Sequence, residues 1–260
     1  MNDEPKKRDR FVNTPFRYPG NQIYTLDLLL SLIPPHDSYV EPFCGGASVF
    51  LGKKKARTNH LNDVDTELIE TYKAIRDHPE KLIAKLKTLM EGEYHEIRES
   101  IPENKLEVAA RWFYLNKTSR IENMSMEWVR DETTLNDQIG WGESISKCSL
   151  KLQGVSLTTT DFEDPISKAQ RGSFAFIAPP YSIRKPLAEI RKHKYPFHRE
   201  SHYRLARLLK DRDHEIKFMV TYDDQEELRE MYSWGDHIKI QNIPNKLPLK
   251  DEIIITNYQT

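Results

Sequence analysis

Residues 37–43, DSYVEPF, form a short apolar run; two glycines follow, and ASVFLGKKKA beyond them repeats apolar positions at helical spacing. A strand, a tight turn and a helix are predicted. RTNHL (57–61) reads as a second strand ending in NDVD, and TELIETYKAI after it is again helical in period, so the chain opens as the βαβ start of a doubly wound sheet. Between Pro79 and Cys148 the pattern changes to helices such as EVAARWFYLNKT and then to the polar, irregular stretch SRIENMSMEWVRDETTLNDQIGWGESIS. Strands resume with VSLTTT (155–160), SFAFI (173–177) and IKFMVTY (216–222), with the helix ESHYRLARLLKD between the last two. DHIKIQNI and DEIIITNY flank PNKLPLK, a loop too short for a helical crossover, so they are expected to pair as an antiparallel hairpin. The expected fold is α/β, with a mostly parallel Rossmann-like sheet, a C-terminal antiparallel hairpin and an inserted, mainly helical module over 79–148. A mobile arm over 1–12 would precede a core formed by 13–78 and 149–260.

Composition adds little to this picture. The 260 residues are 38% hydrophobic, enough for one large core, and 39 Lys and Arg against 40 Asp and Glu leave a net charge of -1. Charge distribution, not net charge, must therefore indicate any nucleic-acid partner. Cys44 and Cys148 are far apart and neither has metal-ligand spacing, which suggests a reduced, intracellular chain with no metal. No apolar run approaches the roughly 20 residues of a membrane span, and the start MNDEPKKRDR lacks a secretory pattern. A cytoplasmic protein with no membrane partner is expected.

Gly45 and Gly46 leave bare backbone at the carboxyl end of the first strand, where open α/β sheets bind ligands. Asp63 follows Gly45 by 18 residues, close to the offset of roughly 20 at which an acid reaches ribose hydroxyls. An adenosine-containing cofactor satisfies both features; a plain turn and a helix cap satisfy them equally well. Neither G-x-G-x-x-G nor G-x-x-x-x-G-K-[ST] occurs, which argues against a dinucleotide or a nucleoside triphosphate.

Six stretches in order, FRYPGNQ (16–22), VEPFCGGASVFL (40–51), NDVD (62–65), FYLNKT (113–118), TTDF (159–162) and APPYS (178–182), closely resemble the Dam-type, D12-class DNA adenine-N6 methyltransferases. The resemblance runs from Phe16 to Tyr258. It implies S-adenosylmethionine as methyl donor, double-stranded DNA as partner, and a methyltransferase form of the Rossmann-like sheet, to which a terminal hairpin is well suited by analogy. Position by position, it puts the donor over Phe43 and Gly45, with Glu41 and Val64 nearby and Asp63 on the ribose. Tyr18 and Gln22 would close from the amino-terminal segment, and Asp161 and Phe162 would border the other side. Family members commonly carry glycine and lysine at Asn21 and Gln22, so a charge contact to the donor is missing here.

The catalytic corner implied is Ala178, Pro179, Pro180 and Tyr181. Adenine N6 attacks the donor's methyl itself, so the site needs acceptors for its two N–H groups and in-line placement. The prolines fix φ and lack donors, forming a stiff corner, and Tyr181 offers a ring to the adenine flipped out of the duplex. The family pattern is Asp-Pro-Pro-Tyr, whereas Ala178 accepts no hydrogen bond. Loss of such an acceptor reduces rates about a hundred- to thousandfold by analogy with oxyanion-hole donors, so the chain is expected to bind donor and DNA but to methylate poorly or not at all.

Ten Lys or Arg between Ser182 and Arg212 face three acids, and phosphate contacts are expected from Arg184, Lys185, Lys194 and Arg199. Asn116 and Lys117 would position the DNA backbone, while Arg120, Asn123 and Arg130 can read base edges; these same three read equally well as surface polar residues. SRIENMSM departs from the sequence that reads GATC in the Dam enzymes, so specificity does not transfer. KKKAR (53–57) suits a solvated helix end. His198 and His202 lack a zinc pattern and suit a partly exposed helix start. A non-catalytic DNA-binding protein on the same fold, an RNA adenine methyltransferase and, more distantly, an NAD-dependent enzyme are the competing expectations.

Overall fold

The computed structural model describes residues 12–18, 20, 22, 24–121, 128–130, 140–180, 194–240 and 251–259. Its main sheet contains β1 (Ser38–Glu41), β2 (Thr58–Asn62), β5 (Ser156–Thr158), β6 (Phe174–Ile177), β7 (Lys217–Asp223), β8 (Asp236–Ile240) and β9 (Glu252–Thr256), in the order β5-β2-β1-β6-β7-β9-β8. The first five are parallel to their neighbours, and β9 runs antiparallel between β7 and β8. The expected hairpin is thus present, with Asp236 opposite Thr256 and Ile240 opposite Glu252. A separate antiparallel pair joins β3 (Ser119–Ile121) to β4 (Trp128–Arg130). Strand order reverses between β1 and β6, so the crevice beyond their carboxyl ends is the switch point where open sheets bind ligands.

Helices cover both faces. On one lie α1 (Leu26–Leu32), α2 (Ser48–Gly52), α3 (Thr66–Asp77), α4 (Pro79–Met90), α5 (Tyr94–Glu99), α6 (Lys105–Thr118) and α7 (Trp141–Leu152). On the other lie α8 (Glu163–Ser167), α9 (Arg199–Asp211) and α10 (Glu226–Met231). The period of two along each strand explains the division: Tyr39, Phe174, Phe176, Met219 and Ile254 enter the first core, and Val40, Ala175, Ile177, Val220 and Ile255 enter the second. Strands buried on both faces read as continuous apolar runs, as SFAFI and EIIIT do.

Three expectations change here. α7 runs from Trp141 to Leu152, across the boundary expected at 148. WGESIS, which reads as irregular because it is polar, is its first turns: Trp141, Ile145, Cys148 and Leu152 form a buried stripe at helical spacing. Lys53 is not at a solvated end but 7% exposed, with Nζ 4.3 Å from the centre of the Tyr39 ring and donating to Lys54 O. The extended backbone at Lys53 (φ -86°, ψ 162°) ends α2 and leaves its stem buried. His202 is also a core residue, its Nδ1 3.0 Å from Tyr222 Oη, and burial pulls its pKa down to about 4. The expected arm lies outside the described residues except for Val12.

The amino-terminal segment is pinned to the first core by Phe16, which is 2% exposed. Its ring centre lies 5.0 Å from those of Tyr72 and Trp112 and 6.2 Å from that of Phe113. Arg17 continues the anchor: Asn116 Oδ1 accepts from Arg17 N at 3.0 Å, and Asn116 Nδ2 donates to Arg17 O at 2.7 Å. Phe16→Ala empties a large buried site, so a loss of about 3–5 kcal/mol is expected, measured as a lower urea midpoint at unchanged m-value.

Candidate active site at the strand ends

Glu41 ends β1, and the chain then turns through Pro42, Phe43, Cys44 and Gly45 into α2. Gly45 has φ +42°, and a Cβ there would lie 2.7 Å from Cε1 of Tyr18, whose ring covers the turn. Only glycine accommodates both the backbone and the ring. Ala47, at φ 49°, is a second left-handed residue in the same turn, in a conformation that costs of order 1 kcal/mol and marks a constrained loop. Asp63, one residue past β2, fastens the turn: its Oδ2 accepts from Gly45 N at 2.9 Å and its Oδ1 from Asp65 N at 3.1 Å. Burial nevertheless pushes its pKa up to about 6.

Asn62, the first residue of NDVD but given no role in that motif, joins three strand ends. Its Nδ2 donates to Pro42 O and Thr160 O, both at 3.0 Å. Its Oδ1 accepts from Thr158 Oγ1 at 2.7 Å, Thr160 N at 3.0 Å and Thr160 Oγ1 at 2.9 Å. Asp161 and Phe162 follow directly. Phe162 is 5% exposed and stacks on Phe43 at 5.4 Å between ring centres, 28° from parallel, with Phe197 edge-on to Phe43 at 5.5 Å. A third ring between two stacked ones would need about 7 Å, so no flat ligand enters between this pair as it stands.

Gln22 reaches from the amino-terminal segment to β7, its Nε2 3.4 Å from Thr221 Oγ1, while its Oε1 accepts from Thr25 Oγ1 at 2.9 Å. Ala178 and Pro180 are half-buried and Pro179 is buried, immediately beyond β6. Because Ile177 pairs with Val220, Ala178 falls level with Thr221. Tyr18, Gln22, Phe43, Gly45, Asp63, Asp161, Phe162 and the corner Ala178–Pro180 therefore gather at the carboxyl ends of β1, β2, β5, β6 and β7. Glu41 is 2% exposed and its Oε2 accepts from Tyr39 Oη at 2.8 Å, so it stands beneath the site. Val64 is exposed beside Asp63.

Among the described residues, the expected DNA contacts are spread over α6, β4, α9 and the segment before α9. Asn116 is fully buried, with its amide bonded to Arg17. Lys117 lies with Nζ 6.0 Å from the Trp141 ring, and Arg130 is exposed, 5.8 Å from that of Tyr94. Lys194 bonds Asp65 Oδ1 at 3.3 Å as well as Glu67, and Arg199 Nε donates to Glu227 at 2.7 Å. These carboxylates come from α10 and the start of α3, outside the basic stretch. Tyr181, Asn123, Arg184 and Lys185 lie outside the described residues, as does the side chain of Arg120. Among the described residues no three His, Cys, Asp or Glu cluster to hold a metal, and no helix is long and apolar enough to cross a membrane.

Electrostatically the strand ends are acidic: Asp63, Asp65, Asp161 and Glu163 meet Lys194 and Arg204, while Glu41, its pKa pushed up to about 8, is mostly neutral at about pH 7. Such a site suits a nucleoside that carries positive charge and repels a polyphosphate.

Strand order, glycine turn, acid and proline corner define a Rossmann-like methyltransferase. The chain belongs to the D12 class N6 adenine-specific DNA methyltransferase family, which matches residues 18–246. It is similar to the type II methyltransferase M1.LlaDCHI of Lactococcus lactis subsp. cremoris, 28% identical over 193 residues, 66% of each chain. It is also similar to the type II methyltransferase M.MjaIII of Methanocaldococcus jannaschii, 25% identical over 200 residues, 67% of this chain and 69% of that one. The chain thus spans about two thirds of the length of these curated relatives. A solved precorrin 8w decarboxylase from Methanobacterium thermoautotrophicum aligns with 96% of this chain and 98% of its own at 13% identity, and its TM-score of 0.38 supports no argument.

Burial pushes the pKa of Glu41 up to about 8 from an ordinary 4.5. The folded chain thus holds this proton more tightly than the unfolded one. The resulting stability is complete below the unfolded value and is lost as pH rises through about 8. The thermal midpoint is expected to fall between about pH 5 and pH 8, and Glu41→Gln to leave the smaller falls of Asp63, ending near 6, and of Asp65, whose pKa burial also raises. An equal fall to pH 8 in the variant contradicts the assignment.

Proposed function

We propose that this chain is an S-adenosylmethionine-dependent DNA adenine-N6 methyltransferase whose turnover is impaired at Ala178. The observation that carries this reading is the meeting of the Gly45 turn, Asp63 and the proline corner at adjoining strand ends in a member of the D12 family. The donor set fits the cofactor: carboxylates that accept from hydroxyl and amine groups, an aromatic pair, and an acidic field that favours a cation. When bound, S-adenosylmethionine supplies an electrophilic methyl group.

The residues of the chain bind and orient. Asp63 would accept from the ribose hydroxyls while Tyr18 covers the Gly45 turn. Phe162 and Asp161 would take the donor's adenine, ring against ring and amine toward carboxylate. At the acceptor side, the Pro179–Pro180 corner would hold a flipped adenine of duplex DNA in line, with the Tyr181 ring of the motif to stack on it. The polar side chains level with Ala178 are Thr221 and its partner Gln22, and neither is a carboxylate. Ala178 equally favours a second reading, a DNA-binding protein that retains the fold and has lost the reaction.

Titration calorimetry with S-adenosylhomocysteine tests the donor site. Affinity is expected to rise with pH through about 6, as Asp63 ionises and becomes the better acceptor. Asp63→Asn is expected to bind about ten- to a hundredfold more weakly, the size of a hydrogen bond to a charged group, with a flattened profile. No binding by the folded wild-type chain, or a variant that binds as tightly, contradicts the reading.

A further inference from the structure

Arg204 belongs to none of the motifs that mark the site, yet its side chain lies within it. Projecting from α9, it places its guanidinium carbon 5.0 Å from the centre of the Phe162 ring. Its Nη2 donates to Asp161 Oδ1 at 3.0 Å, and its Nε to Glu163 Oε1 at 2.7 Å. A guanidinium is a flat, delocalised group that stacks on aromatic faces and offers N–H donors in its own plane. Adenine is also flat and offers the N–H groups of its amine in plane. Against Phe162 and Asp161 an adenine could make the pair of contacts that Arg204 makes, a delocalised group over the ring and an N–H to a carboxylate.

We propose that Arg204 occupies the place of the donor's adenine and must yield it when the donor binds, which makes it a determinant of donor affinity. The inference rests on the donor site proposed above. Phe162 is only 5% exposed, with Phe43 stacked on it at 5.4 Å, so an incoming ring must displace a neighbour. Arg204 is the easier one to move. Its side chain is 38% exposed and that of Asp161 55%, and exposed ion pairs hold weakly. Its bond to Glu163 can persist while Nη2 leaves Asp161, so the charge keeps a partner as the plane swings away. α9 itself stays fixed by His202, Leu205, Ala206 and Leu209, which are buried on its opposite face.

Binding of S-adenosylhomocysteine and of adenosine alone, measured by calorimetry for wild type, Arg204→Met and Arg204→Lys, tests this. Arg204→Met, which keeps the apolar stem but has neither plane nor charge, is expected to bind both ligands about two- to fivefold tighter, the range of an exposed ion pair. Arg204→Lys is expected to fall between. Potassium chloride is expected to strengthen wild-type binding by screening the Asp161 pair and to leave Arg204→Met unaffected. Equal or weaker binding by Arg204→Met, or identical salt slopes, overturns the proposal while the donor site stands. Absence of binding by wild type and both variants overturns the donor site and this inference with it.

Discussion

Asn62 is 1% exposed, and its carboxamide touches the ends of three strands at once. Two N–H groups go to Pro42 and Thr160, and the oxygen collects three donors from Thr158 and Thr160. Both loops that carry candidate donor residues, Phe43 to Gly45 on one side and Asp161 to Phe162 on the other, are hung from this one amide. A neutral group serves here where a carboxylate would not: Asp63, Asp65 and Glu41 already crowd the strand ends, and burial raises the pKa of each. An aspartate at 62 would add charge and lose both donations. The glycine turn, the acid and the aromatic pair hold their relative positions because this amide is fully used.

The same crowding explains how the basic segment is disposed. Read along the chain, ten cations face three acids between 182 and 212. In the fold, Lys194 pairs with Asp65 and Glu67, Arg199 with Glu227, Arg204 with Asp161 and Glu163, and Arg212 with Glu215. The carboxylates that meet Lys194, Arg199 and Arg204 come from α3, α8 and α10 or the residues just before them, beyond any local window, and of the four cations only Arg212 has a local carboxylate partner, three residues on. A charge excess in sequence is therefore a poor measure of the field a phosphate would meet. Any of these cations that contacts DNA exchanges an internal partner for it.

Much of the architecture was legible in the sequence because strands buried on two faces leave unbroken apolar runs, and because a short loop forces a hairpin. The start of α7 was not, since Trp141 and Ile145 are its only buried residues among polar neighbours before Cys148. Asn62 lies inside NDVD, but a polar residue at a strand end reads as a turn, so the five hydrogen bonds of its amide leave no trace in the spacing. Arg204 escaped because a cation at a helical polar position reads as solvated. The burial of Asn116 and its tie to Arg17 involve a partner 99 residues away that no spacing rule reaches. The Gly45 turn and Asp63 were legible as a pair because their separation is fixed by one βαβ unit, and the structure joins them by a direct hydrogen bond at 2.9 Å.

The fold is that of a Rossmann-like methyltransferase and the chain belongs to the D12 family, while the corner proposed to hold adenine carries Ala178 after β6. On the proposed reading, a single acceptor separates a silent chain from an active one. Transfer of labelled methyl from S-adenosylmethionine to mixed-sequence duplex DNA, with this chain beside Ala178→Asp, tests that most directly. The account predicts incorporation at adenine N6 by the aspartate form, about a hundred- to thousandfold above the alanine form. Equal rates from the two, or no transfer by a folded Ala178→Asp that still binds donor and DNA, would contradict it.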